Sequence, residues 1–404
     1  MLASMTRGSR SLRLSTVAFP ILAGALLMAG LVDLPRQISI GPISLLGAVM
    51  LVCILMPLLW WIATPRFHRS FLMALSPILL YIAWSFLTTA WSFPDVTGFQ
   101  NLLAPVAFCL LAGVAFRYCR QKPNGWQKIG KTLLVATGLS VGLYGLNVAI
   151  AGFGSSVIIG ARTFALFALF GLAICLTTWR YGWKPGLFGA LLIVVTIGAS
   201  LSRMALAIAL LLFLLAMIPL KDWRGGIRLL LMGLLIGGVA YQLVMRVEPI
   251  RARFIEGDTT LQVGGIAINA TGRTALWGAL LDSYAQSPWI GHGAGTSGSL
   301  INTRFAGLGQ PHSDYLRILH DLGILGLAFW VLGMLSLVVA HVRSWVQADQ
   351  RGDPAAAIHL AAILSIICIA LSMATDNPLV YIFVMAPCGI LVGASLGSMR
   401  RIPA

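Results

Sequence analysis

The chain has 404 residues, of which 58% are hydrophobic and 10% charged, and its mean hydropathy is +0.90. Soluble domains carry about 25% charged residues, so this composition excludes a water-soluble globular protein and makes the bilayer the solvent. The net charge of +16 is not a nucleic-acid signature, because the basic residues sit in short clusters between apolar runs, where they encode topology; no nucleic-acid partner is expected.

A membrane helix needs roughly 20 apolar residues. In chain order, about twelve runs read as spans: 16–32, 41–63, 70–90, 99–116, 132–153, 163–179, 185–200, 203–220, 227–245, 319–341, 355–374 and 378–397. The first follows Arg7, Arg10 and Arg13 but exceeds the apolar core of a signal peptide, so it reads as a retained helix. The predicted fold is an all-α polytopic membrane protein. Helices 1–9 occupy 1–245, a polar segment carrying short helices occupies 246–318, and helices 10–12 occupy 319–404.

Placing the N-terminus in the cytoplasm puts 19 of the 28 basic residues in inside segments, among them Lys128, Arg180, Lys221, Arg343 and Arg351. The short outside loops then hold only Arg36, Arg162 and Arg203, as the positive-inside rule requires. Both termini are expected inside and the long polar segment outside. None of the six cysteines falls in that segment, and neither a disulfide nor a cysteine metal site is expected.

Loops held on a rigid scaffold carry function, so the outside residues come next. Arg203 stands in Ser202-Arg203-Met204, between two apolar runs with almost no loop. It either snorkels to the interface or holds a phosphate, to which Arg makes planar, bidentate bonds. Arg162, after Gly160-Ala161, is a similar case. Arg273 opens an amphipathic run for which Thr271 is a candidate N-cap, which would put the guanidinium beside a helix N-terminus suited to anions. Trp277, Leu280 and Leu281 read as packing residues.

Two outside histidines are candidates for proton transfer, since an unperturbed imidazole titrates near pH 6.5. His312 follows Pro311 and starts a helix through Tyr315 and Leu316; a structural role is the competing reading. His292 lies in Gly291-His292-Gly293-Ala294-Gly295, which lacks the spacing of a dinucleotide-binding loop and reads as a tight turn allowing close backbone approach. The apolar runs hold almost no carboxylates, with Asp321 and Asp376 near their ends. Proton-coupled transporters usually need such groups. No metal-ligand pattern and no P-loop is visible, so no metal and no cofactor is expected.

Taken together, Ser202-Arg203, Gly272-Arg273 with Trp277, Pro288-Trp289-Ile290-Gly291-His292-Gly293, and Pro311-His312-Ser313-Asp314-Tyr315-Leu316 followed by Leu322-Gly323-Ile324-Leu325-Gly326 resemble the bacterial O-antigen ligase and polymerase superfamily. The likeness covers roughly 195–330. Ser313 stands where relatives often carry Asn, and the stretch after Arg162 lacks an Asn-Pro-Asn-like string. The resemblance implies a glycosyltransferase of GT-C-like architecture in the bacterial inner membrane with a periplasmic site. Its donor would be a glycan on undecaprenyl diphosphate. The ligase reading, favoured by the single large outer loop, makes lipid A–core the acceptor; a polymerase would use the same donor, and a lipid-linked glycan transporter is a further alternative. In this reading His312 is the general base of an inverting, metal-independent transfer. Arg203, Arg273 and Arg162 bind the diphosphate, and His292 and Tyr315 are secondary site candidates.

The charge pattern makes a direct prediction. In single-cysteine variants, positions 293 and 299 should label with an impermeant thiol reagent from the periplasmic side, and positions 128 and 221 only after permeabilisation. Periplasmic labelling at 128 would invert the assignment.

Overall fold

The computed structural model describes residues 17–218 and 273–399, apart from short stretches at 32, 37–38, 41–42, 64–67, 93–95 and 306–307, together with isolated pieces of 219–272. The expected run at 227–245 lies largely outside the described residues, and so does Thr271 as a helix cap.

The protein is an all-α polytopic membrane protein. Its described helices are α1 (Val17–Gly30), the single-turn α2 (Asp33–Arg36), α3 (Leu45–Ala63), α4 (Arg69–Leu87), α5 (Val96–Gln121), α6 (Gly125–Ala151), α7 (Ala161–Arg180), α8 (Pro185–Ala199) and α9 (Arg203–Ala216). After the polar stretch come α10 (Arg273–Tyr284), α11 (Thr296–Arg304), α12 (Asp314–Gln350), α13 (Ala356–Ser372) and α14 (Ile382–Ser398). Two small antiparallel hairpins, Ser39–Ile40 with Ile43–Ser44 and Leu261–Val263 with Ile266–Ile268, are the extended elements among the described residues. Stretches within α4, α5, α6, α7 and α12 are long and apolar enough to cross a bilayer. The expected spans at 185–200 and 203–220 form helices of only 15 and 14 residues. At 1.5 Å per residue these reach about 22 Å, short of the roughly 30 Å hydrocarbon core.

Hydrogen bonds between helix ends show which connections share an end of the bundle. Arg180 Nη1 at the end of α7 donates to the Ala216 carbonyl at the end of α9 over 2.7 Å. Tyr181 Oη donates to Asp349 Oδ1, near the end of α12, over 2.8 Å. At the opposite end, the Gly154 amide, before α7, bonds the Ala199 carbonyl, at the α8–α9 turn, over 2.9 Å. The α6–α7 connection, the start of α9 and the start of α12 therefore gather at one end. The basic clusters after α7 and α12 gather at the other, the separation that the charge pattern demands.

The packing rests on small residues at two places. Along α14, a Cβ at Gly389, Gly393 or Gly397 would stand 2.5, 2.0 or 2.3 Å from the carbonyl oxygens of Phe108, Ala112 and Phe116. This four-residue repeat lets α14 lie directly on the α5 backbone, as small residues do between membrane helices. The second place is a break in α12 at Gly323, where φ is 67° and ψ −171°. The amides of Ile324 and Leu325, freed by the break, donate to the carbonyls of Pro288 (2.9 Å) and Trp289 (3.3 Å), and Trp84 Nε1 donates to the Leu322 carbonyl over 3.0 Å. The tenth span, expected over 319–341, thus starts after Gly323 and belongs to a helix that continues to Gln350; residues 314–322 form a separate helical segment carrying the end of the polar stretch. Helices α10 and α11 pack on that segment through Leu276, Leu280 and Ile301, with Trp277, Leu300 and Leu316 around them.

At Gly323 a Cβ would lie 2.3 Å from the Trp289 carbonyl oxygen, and at Gly291 it would lie 2.4 Å from that of Asp321. Each position also needs positive φ, which L side chains rarely adopt. Gly323→Ala and Gly291→Ala should each destabilise by about 1–3 kcal/mol, read as a lowered thermal midpoint in detergent. Gly142→Ala on α6, where a Cβ meets nothing within 4 Å, should not. Equal midpoints for all three variants would show that the outer segment does not dock on α12.

Candidate functional site

The site is built on the first turn of α12. Ser313 is its N-cap and accepts from the Leu316 amide over 3.5 Å. Asp314, fully buried, has its amide bonded to the carbonyls of Met373 (2.9 Å) and Asp376 (3.1 Å). Its carboxylate accepts from Arg317 Nε (2.6 Å), Asn377 Nδ2 (3.2 Å) and the Leu379 amide (2.7 Å). Tyr315 Oη donates to the Ala370 carbonyl over 2.8 Å. The string Ser313-Asp314-Tyr315 therefore clamps the connection between α13 and α14 onto the start of α12. Tyr315, a secondary site candidate, has its hydroxyl committed to this clamp.

His312 sits immediately before the cap with φ at 56°, one of two non-glycine residues with positive φ among those described. Such backbone is sparsely populated and tends to persist where surrounding contacts enforce it. Here Pro311 precedes it, and the Pro311 carbonyl accepts from Trp277 Nε1 over 3.1 Å. Trp277, expected as packing, also fixes the backbone that presents His312.

Arg162 reaches the same place from α7. Asn147 holds the incoming loop through the Ile158 amide (2.7 Å) and the Ile159 carbonyl (2.6 Å), and Asp33 Oδ2 accepts from the Gly160 amide over 2.6 Å. The guanidinium then makes a two-pronged pair with Asp376, Nε to Oδ2 and Nη2 to Oδ1. Nη2 also lies 3.2 Å from His312 Nδ1. The Asn377 amide supports the carboxylate at 2.6 Å from Oδ1.

The electrostatics favour a neutral imidazole. Burial pushes His312 down from its ordinary value to about 4, the charges of Arg162 and Arg273 push the same way, and Asp376 opposes them. Arg273 is the first residue of α10, one turn before Trp277, and so shares the helix face that contacts Pro311. Arg203 is the first residue of α9 after the cap Ser202. The contact between Gly154 and Ala199 puts it at the same end of the bundle. The structure thus brings Arg162, Arg273 and His312 together and places Arg203 at their end of the molecule.

His292 belongs to a different cluster. Its ring stacks on His320, with centroids 4.7 Å apart, and its Nε2 donates to the Ser283 carbonyl over 2.8 Å. His320 bonds Asp321 Oδ1 (3.0 Å) and Ser283 Oγ (3.1 Å). Asp321 also accepts from the amides of Gly295 (3.0 Å) and Ser297 (2.8 Å), capping α11. The glycines of 291–295 approach Asp321, Ser92 and Gly98 too closely for a Cβ, which bears out the reading of this stretch as a close-approach turn. Its tight partners are parts of the protein itself. His292 secures that turn, while His312 faces the charged groups.

Asp376, Asn377 and Asp314 were missed as site residues. In a chain with only 12 acidic residues, a carboxylate between two apolar runs on the arginine-bearing side, as Asp376 is, was the available signal.

Residues 188–331 match the family model described as O-antigen ligase. The resemblance to the O-antigen ligase superfamily is borne out. No curated protein matches the chain. The matched stretch contains Arg203, Arg273, His292, His312 and Tyr315, whereas Arg162 and Asp376 lie outside it. Packing, rather than membership of the matched stretch, joins these two to the site.

Proposed function

We propose that the protein is an O-antigen ligase of the inner membrane, a reading that the family match supports at the level of an O-antigen ligase- or polymerase-type function in a multi-pass membrane protein. It transfers a glycan from undecaprenyl diphosphate to lipid A–core on the periplasmic side. The observation that carries this reading is the convergence of Arg162, Asp376 and His312 at the end of the bundle that also bears Arg273 and Arg203.

A sugar hydroxyl is a poor nucleophile at neutral pH, and a lipid diphosphate is already a good leaving group. The acceptor oxygen attacks the anomeric carbon as the bond from that carbon to the phosphate oxygen breaks. The acceptor proton passes to His312, and the diphosphate leaves against Arg162, Arg273 and Arg203, whose fixed charges oppose the charge that develops there. Direct displacement inverts the anomeric centre. The arginines take the part that a metal ion plays elsewhere, so transfer should be unchanged in excess EDTA; a loss restored by Mg²⁺ would refute metal independence.

Reconstitution with lipid-linked glycan and either lipid A–core or a second lipid-linked glycan separates ligase from polymerase, and movement of donor without a new glycosidic bond would indicate a transporter. His312→Ala should fold, insert and bind carrier yet lose transfer by roughly 10²–10⁴-fold, whereas His292→Ala should keep more activity. Normal turnover by His312→Ala would remove the proposed base. The sign of the pH dependence follows from the depressed value. The neutral imidazole persists well below pH 6.5, so kcat/KM should fall only as pH approaches about 4.

A further inference from the structure

A guanidinium carries only donors, so in the 3.2 Å contact between Arg162 Nη2 and His312 Nδ1 the imidazole nitrogen accepts. A neutral imidazole has one N–H and one bare nitrogen. With Nδ1 accepting from Arg162, the proton resides on Nε2. In this arrangement His312 has no nitrogen open to a further proton, because Nδ1 is engaged by a cation and Nε2 already carries its hydrogen. Moving the proton to Nδ1 would free Nε2 but would set an N–H against the guanidinium. By either route Arg162 must withdraw before the imidazole accepts a proton.

Arg162 is built to withdraw. Its side chain is 40% exposed, against 8% for Asp376, so Arg162 is the reachable member of the pair while its counter-ion stays fixed by the Asn377 amide. The two-pronged geometry it offers Asp376 is the one it would offer a phosphate, and a diphosphate carries more charge than a carboxylate. Among the described groups, His312 feels Arg162 from α7, Arg273 from α10 and Asp376 from the α13–α14 connection.

We infer that Arg162 is a positioning residue that holds His312 in the tautomer unable to accept a proton until an anionic lipid diphosphate draws the guanidinium away, so that the base becomes competent only with donor in place. This rests on the donor assignment proposed above and adds to it a coupling between donor binding and proton acceptance.

The test uses the full chain in nanodiscs. Exchange of the His312 ring C–H for deuterium, followed by mass spectrometry across pH, reports the titration of that imidazole. Saturating undecaprenyl diphosphate should raise the His312 midpoint by about 1–3 units, the size expected when a like charge is withdrawn and an opposite one approaches. Arg162→Met should raise it without lipid. The double variant Arg162→Met/Asp376→Asn removes both charges, leaves no stranded carboxylate and should behave alike, which covers a folding defect in the single variant. In steady-state transfer, the acid limb of kcat should lie above that of kcat/KM, because the first reports the donor-bound enzyme and the second the free enzyme. If the lipid binds and the His312 titration does not move, Arg162 does not position the base, and the donor assignment stands. If the lipid does not bind, the donor assignment falls and this inference with it.

Discussion

The Asp314 carboxylate is the interaction on which the rest of the site depends. It is fully buried, and it gathers Arg317 from its own helix and Asn377 and the Leu379 amide from the connection between α13 and α14. A buried charge is tolerated only when paired and hydrogen-bonded, and here the pairing stitches together two parts of the chain some sixty residues apart. His312 lies two residues before it and Asp376 one residue before Asn377, so the same carboxylate sets the approach of the imidazole and of the group that holds Arg162. Removing it would strand the Arg317 guanidinium, 4% exposed, and breaking one side of a buried ion pair typically costs about 3–5 kcal/mol.

The break at Gly323 solves a second problem, which is how a polar segment with only a small apolar cluster of its own can be fixed to the helical bundle. A helix that starts anew leaves amides without intrahelical partners. In α12 two of these are satisfied by the carbonyls of Pro288 and Trp289 from the outer segment. The spanning helix and the outer turn therefore complete each other's hydrogen bonding. Asp321, Gly291 and Gly323 are the contact points, and substituting either glycine would push backbone from backbone. The small Leu276–Leu280–Ile301 cluster adds apolar burial to a contact whose register is set by these hydrogen bonds.

How much of this was legible follows from the range of each interaction. Apolar runs report burial in lipid residue by residue, so helix positions were readable, including the turn at Leu201 between the runs 185–200 and 203–220, and an error arose where a local backbone choice intervened, as at Gly323. Arg162 was readable as a candidate because a basic residue in a short loop expected outside runs against the positive-inside rule, Arg273 because it opens an amphipathic run, and His312 because the Pro311–Leu316 string resembles a family pattern. The pairing of Arg162 with Asp376 was not readable. It spans more than two hundred residues, neither partner lies in the stretch matched to the family, and no periodicity reports which loop meets which at the end of a bundle. The order of His312 before His292 was readable from the helix start after Pro311 and the family-like string. What His292 does instead was not readable, because its ring stack on His320 and its bond to Ser283 join residues across a turn.

The division of labour between charges has a further consequence. An outer surface that binds a diphosphate through arginines would also attract free phosphate and lipid headgroups, and a base held permanently ready beside it would act on whatever hydroxyl or water arrived. Pairing Arg162, 40% exposed in its side chain, with a carboxylate answers the first hazard, because a monoanionic headgroup must compete with Asp376 for the same fork. Setting that arginine against Nδ1 of the imidazole answers the second, because the proton acceptor is occupied while the fork is on the carboxylate. Both controls come from one guanidinium and two contacts. They require that Asp376 and His312 be held on the same rigid frame, which is what the Asp314 clamp provides.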